Sequence, residues 1–288
     1  MESTDGAREH ALGPEHLAAC AALSASAHWN QNAADWALML SFGRGYGLSL
    51  ADGTLAASTL TLPYGQAFAW VAMVLVHPDC RRRGYATRLL RHALDDLERD
   101  RRLPVLDATP AGREVYRQEG FHDTWSFRRL ALAQTWSGAA DAPDRIRVRA
   151  LQIDDWPGIT ALDTPAFGAN REFLLRSLAS RMPLAALVAE CDGTLTGFLL
   201  GRDGREARQL GPLVARDAAS AKALLAAALA RVSAPLYLDL VDREAALCAW
   251  LERGGFALQR PFTRMVHGAE RAPGDASIVF CPAGPELG

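Results

Sequence analysis

The feature that most constrains this chain is a strand, a turn and a helix that follow one another in residues 69–94. The stretch Ala69–Val76 (AWVAMVLV) is an apolar run rich in β-branched and aromatic residues, which predicts a buried strand. His77-Pro78 ends this strand, because proline has no N–H for a ladder and biases the residue before it away from helix. Apolar residues then recur at helical spacing from Leu89 to Leu97, which predicts an amphipathic helix.

The turn between strand and helix has the composition of an anion-binding site. Residues 81–86 (RRRGYA) place three arginines just before the helix. The first N–H groups of a helix lack intrahelical partners, and its dipole favours negative charge there. Gly84 has no Cβ and Ala86 has a small one, so a phosphate can approach the backbone closely. For a turn of this kind by itself, a solvated arginine cluster is the alternative.

A second pattern follows in residues 103–121 (LPVLDATPAGREVYRQEGF). Leu103–Ala108 predicts a short buried strand, Pro110 begins a helix at a tolerated position, and Gly120 ends it. Upstream, two helical segments and two strands lead to the central strand: Pro14–Ala27, Asn32 or Ala33 to Leu40, Tyr46–Leu50 and Thr54–Leu62.

In this setting the chain resembles the GNAT superfamily, the GCN5-related N-acetyltransferases. Their signature Q/R-x-x-G-x-G/A is met by Arg81, Gly84 and Ala86. Their later Y-x-x-x-G-F is met by Tyr116 and by Gly120-Phe121. The two signatures stand in the family's order with a strand between them, and the resemblance covers residues 1–133.

The second half repeats the first in weakened form. Residues 120–130 (GFHDTWSFRRL) align with residues 255–265 (GFALQRPFTRM). Upstream of the second copy the pattern predicts a central strand, an alanine-leucine helix and a further strand: Arg205–Val214, Ala218–Val232 and Leu236–Val241. We therefore predict an α+β fold with a mixed sheet, built as a tandem GNAT of two acyl-CoA N-acyltransferase-like domains. The predicted bounds are 1–133 for a catalytic domain, 134–145 for a linker and 146–288 for a degenerate domain with a tail strand.

The second copy departs from the family pattern where the chemistry belongs. It has no R-x-x-G-x-A, and Leu251 stands where the first copy has Tyr116. We therefore predict that this domain neither binds acetyl-CoA in the usual way nor catalyses, but walls the acceptor pocket. The apolar run Ser277–Cys281 is costly to leave in water and is predicted to pair with a sheet edge.

The resemblance implies acetyl-CoA as co-substrate, with no metal. The residues to which it assigns contacts with acetyl-CoA are Val74, Leu75, Val76, Arg81, Arg82, Arg83, Gly84, Tyr85, Ala86, Thr87 and Thr109. It also assigns to Tyr116 the proton that the departing thiolate needs. An aromatic core position is the alternative for that tyrosine.

The stretch His28–Trp36 (HWNQNAADW) lies at the turn between the two predicted helices. In the family this turn overhangs the acceptor site, so Trp29, Gln31 and Asp35 are predicted to contact an amine acceptor. A free lysine-type amine has a pKa of about 10.4, so a base or a desolvating pocket has to favour its deprotonation. The candidates for the base are His28, Asp35 and Asp107, or a relayed water.

Composition narrows the classes of partner. A formal net charge of −2 gives no basic excess to suggest nucleic acid. The five cysteines show no C-x-x-C spacing, so neither a zinc site nor a disulfide framework is indicated, and a reducing cytoplasm is expected. The longest apolar run is too short to span a bilayer. The expected partner is a small-molecule or peptide amine, with a homodimer left open. The competing function is a non-catalytic acetyl-CoA-binding regulatory module.

Overall fold

The computed structural model describes residues 6–138 and 145–288, and the first half builds the predicted order of elements. Residues 1–5 of the predicted first domain and 139–144 of the predicted linker lie outside this part. The elements of the first half are β1 (Arg8–Leu12), α1 (Leu17–Ser26), α2 (Ala33–Phe42), β2 (Arg44–Ser49), β3 (Leu55–Tyr64), β4 (Phe68–Val76), α3 (Tyr85–Arg99), β5 (Leu103–Ala108), α4 (Pro110–Gln118) and β6 (Phe121–Leu132).

The second half repeats this order. Its elements are β7 (Ile146–Ala150), α5 (Trp156–Phe167), α6 (Glu172–Arg181), β8 (Leu187–Cys191), β9 (Thr194–Arg202), β10 (Arg208–Ala215), α7 (Ala218–Leu229), β11 (Leu236–Val241), α8 (Ala245–Arg253), β12 (Ala257–His267) and β13 (Val279–Cys281). The predicted α+β fold with two domains of one kind is confirmed, and the bounds predicted for β5 and β11 coincide with the observed ones.

Across the described residues, thirteen strands form one mixed sheet. Strands β1 to β4 are antiparallel neighbours, and β5 then runs parallel to β4. Strands β7 to β10 and β11 repeat this arrangement. At the centre the spatial order is β5-β12-β6-β11. Strand β12 of the second half therefore lies beside β5 of the first half, and β6 of the first half lies beside β11 of the second.

The repeated residues of the sequence sit on these exchanged strands. Phe127 of β6 is directly opposite Phe262 of β12, and their rings stack with centroids 5.1 Å apart. Arg264 of β12 donates two hydrogen bonds to Asp107 of β5, both 2.9 Å. Arg129 of β6 makes the equivalent pair with Asp239 of β11, at 2.8 and 2.7 Å. The repeat thus supplies two buried ion pairs, each joining one half to the other.

The helices cover both faces of the sheet. On one face, α3 buries Leu89, Leu90 and Ala93 against the strands of the first half. On the other face, α1 and α2 share a hydrophobic core with α5 and α6 of the second half, in which Trp36 and Trp70 are fully buried. The apolar stripe predicted for α3 is therefore observed, and the core does not divide between the halves.

The tail strand pairs with a different partner from the one predicted. β13 pairs antiparallel with the second part of β10, an interior strand, and not with a sheet edge. It finds partners there because β10 pairs with β11 only from Arg208 to Leu210, beyond which the two strands diverge. The prediction of an edge pairing was wrong, although Val279–Cys281 of the apolar run is buried.

Residues 282–288 follow β13 and contact residues of the first half. The Tyr64 hydroxyl donates to the carbonyl oxygen of Leu287 at 2.9 Å, and the Trp70 indole N–H donates to that of Pro285 at 2.9 Å. Arg171, in the connection between α5 and α6, donates to the carbonyl oxygen of Gly288. Within residues 6–138 and 145–288, no helix is both long and apolar enough to cross a bilayer.

Candidate active site

A cleft opens where β4 and β5 diverge. The two strands pair only from Phe68 with Leu103 to Trp70 with Val105. No described strand pairs with the β5-facing edge of β4 beyond that point, so residues 71–76 keep backbone N–H and C=O groups available there. Buried backbone groups need partners. An extended ligand with amide groups can supply them.

A β-bulge in β4 shapes the backbone at the cleft. The register between β3 and β4 shifts between Ser58 and Leu60, and Met73 has a φ of 51°. This left-handed conformation costs a non-glycine residue on the order of 1–3 kcal/mol and persists only where its surroundings hold it. The Ser58 hydroxyl does so by donating to the Met73 carbonyl oxygen at 2.8 Å. Both bulge residues, Met73 and Val74, line the cleft.

Both halves contribute to the cleft wall. The first half provides residues of β4, β5, α4, β6 and the connection between α1 and α2, and the second half provides residues of β11, β12 and the tail. The lining residues are His28, Trp29, Asn30, Gln31, Val71, Ala72, Met73, Val74, Asp107, Thr109, Tyr116, Arg129, Tyr237, Gln259, Arg260, Phe262, Pro285 and Glu286. Five of the predicted site residues therefore meet here: Trp29, Gln31, Val74, Thr109 and Tyr116.

Tyr116 is placed in the cleft by a capped helix. Thr109 is the N-cap of α4, and its hydroxyl oxygen accepts a hydrogen bond from the Gly112 N–H at 3.3 Å. The Tyr116 ring packs beside Phe121, with centroids 5.9 Å apart. Burial raises the pKa of the Tyr116 phenol above its ordinary value. The hydroxyl therefore stays protonated at neutral pH and is able to donate a proton.

The arginine turn lies between β4 and α3. Arg81, Arg82 and Arg83 are exposed, and none of them forms an ion pair with a described residue. Gly84 is the N-cap of α3 with a φ of 76°, and no side chain of the described residues caps the helix there. A Cβ built at Gly84 would have no described atom within 4 Å, so the space above it is open. A helix N-terminus, open space and exposed arginines suit the phosphates of acetyl-CoA.

The connection between α1 and α2, residues 27–32, is fixed by the second half. The Asn30 side chain donates to the Ala207 carbonyl oxygen at 3.0 Å and accepts from the N–H groups of Glu206 and Ala207 at 2.9 and 3.0 Å. Gln31 is 3 % exposed, and its Oε1 accepts no hydrogen bond from any described group. Asn30 thus holds this connection in place and leaves Trp29 and Gln31 at the cleft.

Asp35 does not reach the cleft, in contrast to its predicted role as an acceptor contact. It is fully buried, and Arg181 donates to its Oδ1 at 2.6 Å while Arg202 forms a second ion pair with it. Its Oδ2 accepts from the Asn32 N–H at 3.0 Å, which completes the cap of α2. The sequence places Asp35 one helical turn after the acceptor turn. Its charge is instead neutralised by arginines that the first half alone does not reveal.

The other predicted bases differ in availability. Both oxygens of Asp107 already accept from Arg264, whose guanidinium lies 4.4 Å from the ring centroid of Trp70 and 4.1 Å from that of Trp125. Burial raises the pKa of Asp107, and the Arg264 charge opposes that shift. His28 is exposed at the cleft.

Sequence reasoning missed the cleft residues of the second half and the tail, above all Glu286 and Arg260. Glu286 is 2 % exposed, and burial raises the pKa of its carboxyl group against the opposing charge of Arg202. Arg260 forms no ion pair with a described residue, and burial followed by the charge of Arg129 lowers its pKa. The segment PAGPELG has no periodicity to indicate burial. The internal repeat was the available signal for the second half, since it marks β12 as a counterpart of β6.

Comparisons with known proteins agree with this geometry. Residues 16–121 match the Acetyltransferase (GNAT) family, and residues 159–281 match an Acetyltransferase (GNAT) domain. An uncharacterized N-acetyltransferase of Bacillus subtilis, YitH, is 23% identical over 85% of this chain and 86% of its own. A holothin acyltransferase of a Pseudoalteromonas species is 27% identical over 85% of this chain and 81% of its own. The crystal structure of a putative acetyltransferase from Pyrococcus horikoshii superposes with a TM-score of 0.79 at 18% identity, over 99% of this chain and 97% of that one.

Proposed function

We propose that this chain, which belongs to the GNAT family and carries two GNAT domains, transfers an acetyl group from acetyl-CoA to a primary amine through a ternary complex. The observation that carries the proposal is the meeting of a bulged, half-unpaired β4 with Tyr116 in one cleft. The cleft lies along β4, and the C-terminal end of β4 leads into the arginine turn. These are the parts that acetyl transfer requires.

Bound acetyl-CoA supplies the acyl carbon and the thiol leaving group. Arg81, Arg82 and Arg83, together with the N–H groups that begin α3, bind its phosphates. The free edge of β4 from Val74 to Val76 pairs with the amide groups of its pantetheine arm. Backbone N–H groups at the bulge stabilise the negative charge that develops on the acyl oxygen, because fixed donors cost no reorganisation during the reaction. Tyr116 donates the proton that the sulfur takes.

The acceptor enters the same cleft from the side formed by Trp29, Gln31 and the second half. Enclosure by both halves and by residues 285–286 favours a small amine over a folded protein as the acceptor. Clefts of this kind bury most of a small ligand and orient it with a few polar groups. The degenerate half therefore contributes to acceptor recognition although it carries no counterpart of Tyr116.

Thiol release from acetyl-CoA tests the proposal directly. The purified chain is incubated with acetyl-CoA and a panel of tyramine, spermidine, lysine, kanamycin and a lysine-containing peptide, and free thiol is measured with the N-acetylated product. We expect thiol release that depends on one class of amine and yields one amide for each thiol. Tight binding of acetyl-CoA with no amine-dependent thiol release would favour the regulatory-module alternative.

A further inference from the structure

A buried carboxyl group at the wall of the cleft lacks a complete set of partners. Glu286 Oε1 forms an ion pair with Arg202, whereas Oε2 accepts no hydrogen bond from any described residue. The side chain is 2 % exposed. Buried polar atoms in folded proteins are nearly always hydrogen-bonded, and leaving one unpaired is destabilising. At a cleft wall, a ligand that brings a donor removes this cost.

A second unpaired acceptor lies on the wall built by the first half. Gln31 Oε1 is buried and accepts no hydrogen bond from the described part of the chain. Gln31 belongs to the connection between α1 and α2, whereas Glu286 belongs to the tail, and both line the cleft. Two acceptors without donors suit a group that carries several N–H bonds. A primary amine is such a group.

We propose that Gln31 and Glu286 bind the acceptor amine and that Glu286 takes its proton during the transfer. This inference rests on the proposed function and adds to it the identity of the base. The base comes from the tail of the second half, and it reaches the cleft because residues 282–288 are held by Tyr64, Trp70 and Arg171 of both halves.

The other carboxyl groups near the cleft are committed elsewhere. Asp107 accepts from Arg264 with both oxygens, and Asp35 is enclosed by Arg181 and Arg202 away from the cleft. Glu286 keeps one oxygen unpaired. His28 is exposed to water, so it is the remaining competitor for the proton and provides the matched control.

The amine nitrogen uses its lone pair to form a bond to the acyl carbon, and Glu286 Oε2 accepts one proton from that nitrogen. The bond between the acyl carbon and sulfur breaks with its electron pair moving to sulfur, which takes a proton from the Tyr116 hydroxyl. The products are one amide and one thiol. Glu286 then releases its proton to water and Tyr116 regains one, so both side chains return to their starting states.

The charges around Glu286 set the expected pH dependence. The pKa of Glu286 depends on the charges of Arg202 of β9, Arg129 of β6 and Asp35 of α2. Two further charged residues also line the cleft, Asp107 of β5 and Arg260 of β12. Burial raises the pKa of Glu286, with Arg202 and Arg129 opposing the shift. A base works only when ionised, so the rate should fall as the pH drops through this raised pKa. The acid limb should thus lie above the ordinary glutamate value of about 4.3.

The test compares pH profiles of kcat, at saturating amine and acetyl-CoA, for the wild type, Glu286→Gln, Glu286→Asp and His28→Gln. The assay uses acetyl-CoA with the fastest amine among tyramine, spermidine, lysine and kanamycin. We expect Glu286→Gln to lose about 10²–10⁴-fold in rate together with the acid limb, because a positioned general base typically contributes that much. Glu286→Asp should keep the limb at a reduced rate, and His28→Gln should keep the limb as well. Acetyl-CoA affinity and the melting temperature of each variant report on its folding.

The outcomes separate this inference from the function on which it rests. A wild type that releases no thiol with any amine overturns the proposed function and the inference together. A wild type that turns over, with a near-normal rate and an unchanged acid limb in Glu286→Gln, overturns the inference alone. An acid limb that disappears only in His28→Gln assigns the proton to His28. If Glu286→Gln does not fold, the Glu286→Asp profile decides, since an unshifted limb at full rate contradicts the role of Glu286.

Discussion

In the first half residues 77–84 separate β4 from α3, whereas in the second half only residues 216–217 separate β10 from α7. Gly84 is the N-cap of helix α3, and no side chain of the described residues caps this helix. Asp217 is the N-cap of helix α7, and its carboxylate accepts a hydrogen bond from the Ser220 N–H at 2.7 Å. The same helix end is therefore open to an external anion in one half and occupied by the chain's own carboxylate in the other.

The central strands differ in the same sense. The bulge of β4 contains Met73 and Val74 and begins three residues beyond its last pair with β5, whereas the irregularity of β10 spans Gly211 and Pro212 directly after its last pair with β11. Proline has no N–H, so the irregularity of β10 has one backbone donor fewer than the bulge of β4. The gap beyond the paired part of β10 holds β13, whereas the gap beside β4 is the cleft. One fold thus leaves strand polar groups unpaired in the first half and pairs them with its own chain in the second.

The largest expected effect comes from separating the halves. Residues 1–138 expressed alone lose β12, which leaves Asp107 without Arg264 and Arg129 without Asp239. Breaking a buried ion pair costs about 3–5 kcal/mol, and two such losses are comparable to the total stability of a domain, about 5–15 kcal/mol. We expect no cooperative thermal unfolding by circular dichroism for this fragment alone. Co-expression with residues 139–288 should restore it, and a stable isolated fragment that binds acetyl-CoA would contradict the exchange of strands.

Tyr116→Phe should lower kcat by about 10²–10⁴-fold with little change in acetyl-CoA affinity, because the ring remains while the proton donor is lost. Since burial raises the pKa of Tyr116, the wild-type rate should decline only above the ordinary phenol value of about 10, where the hydroxyl ionises. The variant should lack this alkaline limb. The measurement is the pH profile of thiol release under conditions in which chemistry limits the rate.

The matched variant in the second half is Leu251→Ala. Leu251 is fully buried, so its truncation should lower the free energy of unfolding by about 2–5 kcal/mol. The folded enzyme should still turn over at the normal rate, because Leu251 is not among the described residues that line the cleft. Normal turnover by Tyr116→Phe would remove Tyr116 from the mechanism, and loss of turnover by folded Leu251→Ala would give α8 a part in catalysis.

Charge removal at the arginine turn should weaken acetyl-CoA binding. Arg81→Gln and Arg83→Gln are each expected to cost about 1.5–3 kcal/mol, the usual contribution of a hydrogen bond to a charged group. Arg216→Gln, at the exposed counterpart turn before α7, should have no effect on binding. Isothermal calorimetry should give one acetyl-CoA site per chain. Two equivalent acetyl-CoA sites, or weaker acetyl-CoA binding by Arg216→Gln, would show that both turns bind the ligand.

The helix-helix connections offer a smaller contrast. Residues 28–31 of the connection between α1 and α2 line the cleft, whereas Arg171 in residues 168–171 holds the tail. We expect Trp29→Ala to raise the acceptor KM by about tenfold, equivalent to about 1.4 kcal/mol, with acetyl-CoA affinity nearly unchanged. Trp36→Ala is the control for a core tryptophan and should lower the melting temperature instead. If Trp29→Ala weakens both ligands and lowers the melting temperature, Trp29 belongs to the core.

The smallest expected effect is at the cap of α7. Asp217→Ala should lower the free energy of unfolding by about 0.5–2 kcal/mol, the usual cost of losing an N-cap. Acetyl-CoA binding and turnover should not change, since the closed turn plays no part in either. Chemical denaturation followed by circular dichroism gives the stability difference. A change in acetyl-CoA affinity would show that the second turn still meets the ligand.

The sequence predicts local elements well and their partners poorly. The bounds of β5 and β11 follow from apolar runs with clear ends, and the arginine turn follows from its residues. The strand that lies beside β5 could not be predicted, because alternation of side chains along β12 fixes its faces but not its neighbour. The burial of Asp35 could not be predicted either, because its partners Arg181 and Arg202 come from distant parts of the chain. Glu286 was missed because burial of a proline- and glycine-rich segment leaves no periodic pattern.

The exchange of β6 and β12 also bears on the history of such a chain. When a duplicated domain gives its last strand to its twin, neither copy can be deleted without exposing the other's sheet. The second copy lacks the arginine signature and the tyrosine, yet it still supplies the strand that completes its neighbour. Mutual dependence of this kind would keep the second copy in the chain whether or not it takes part in chemistry.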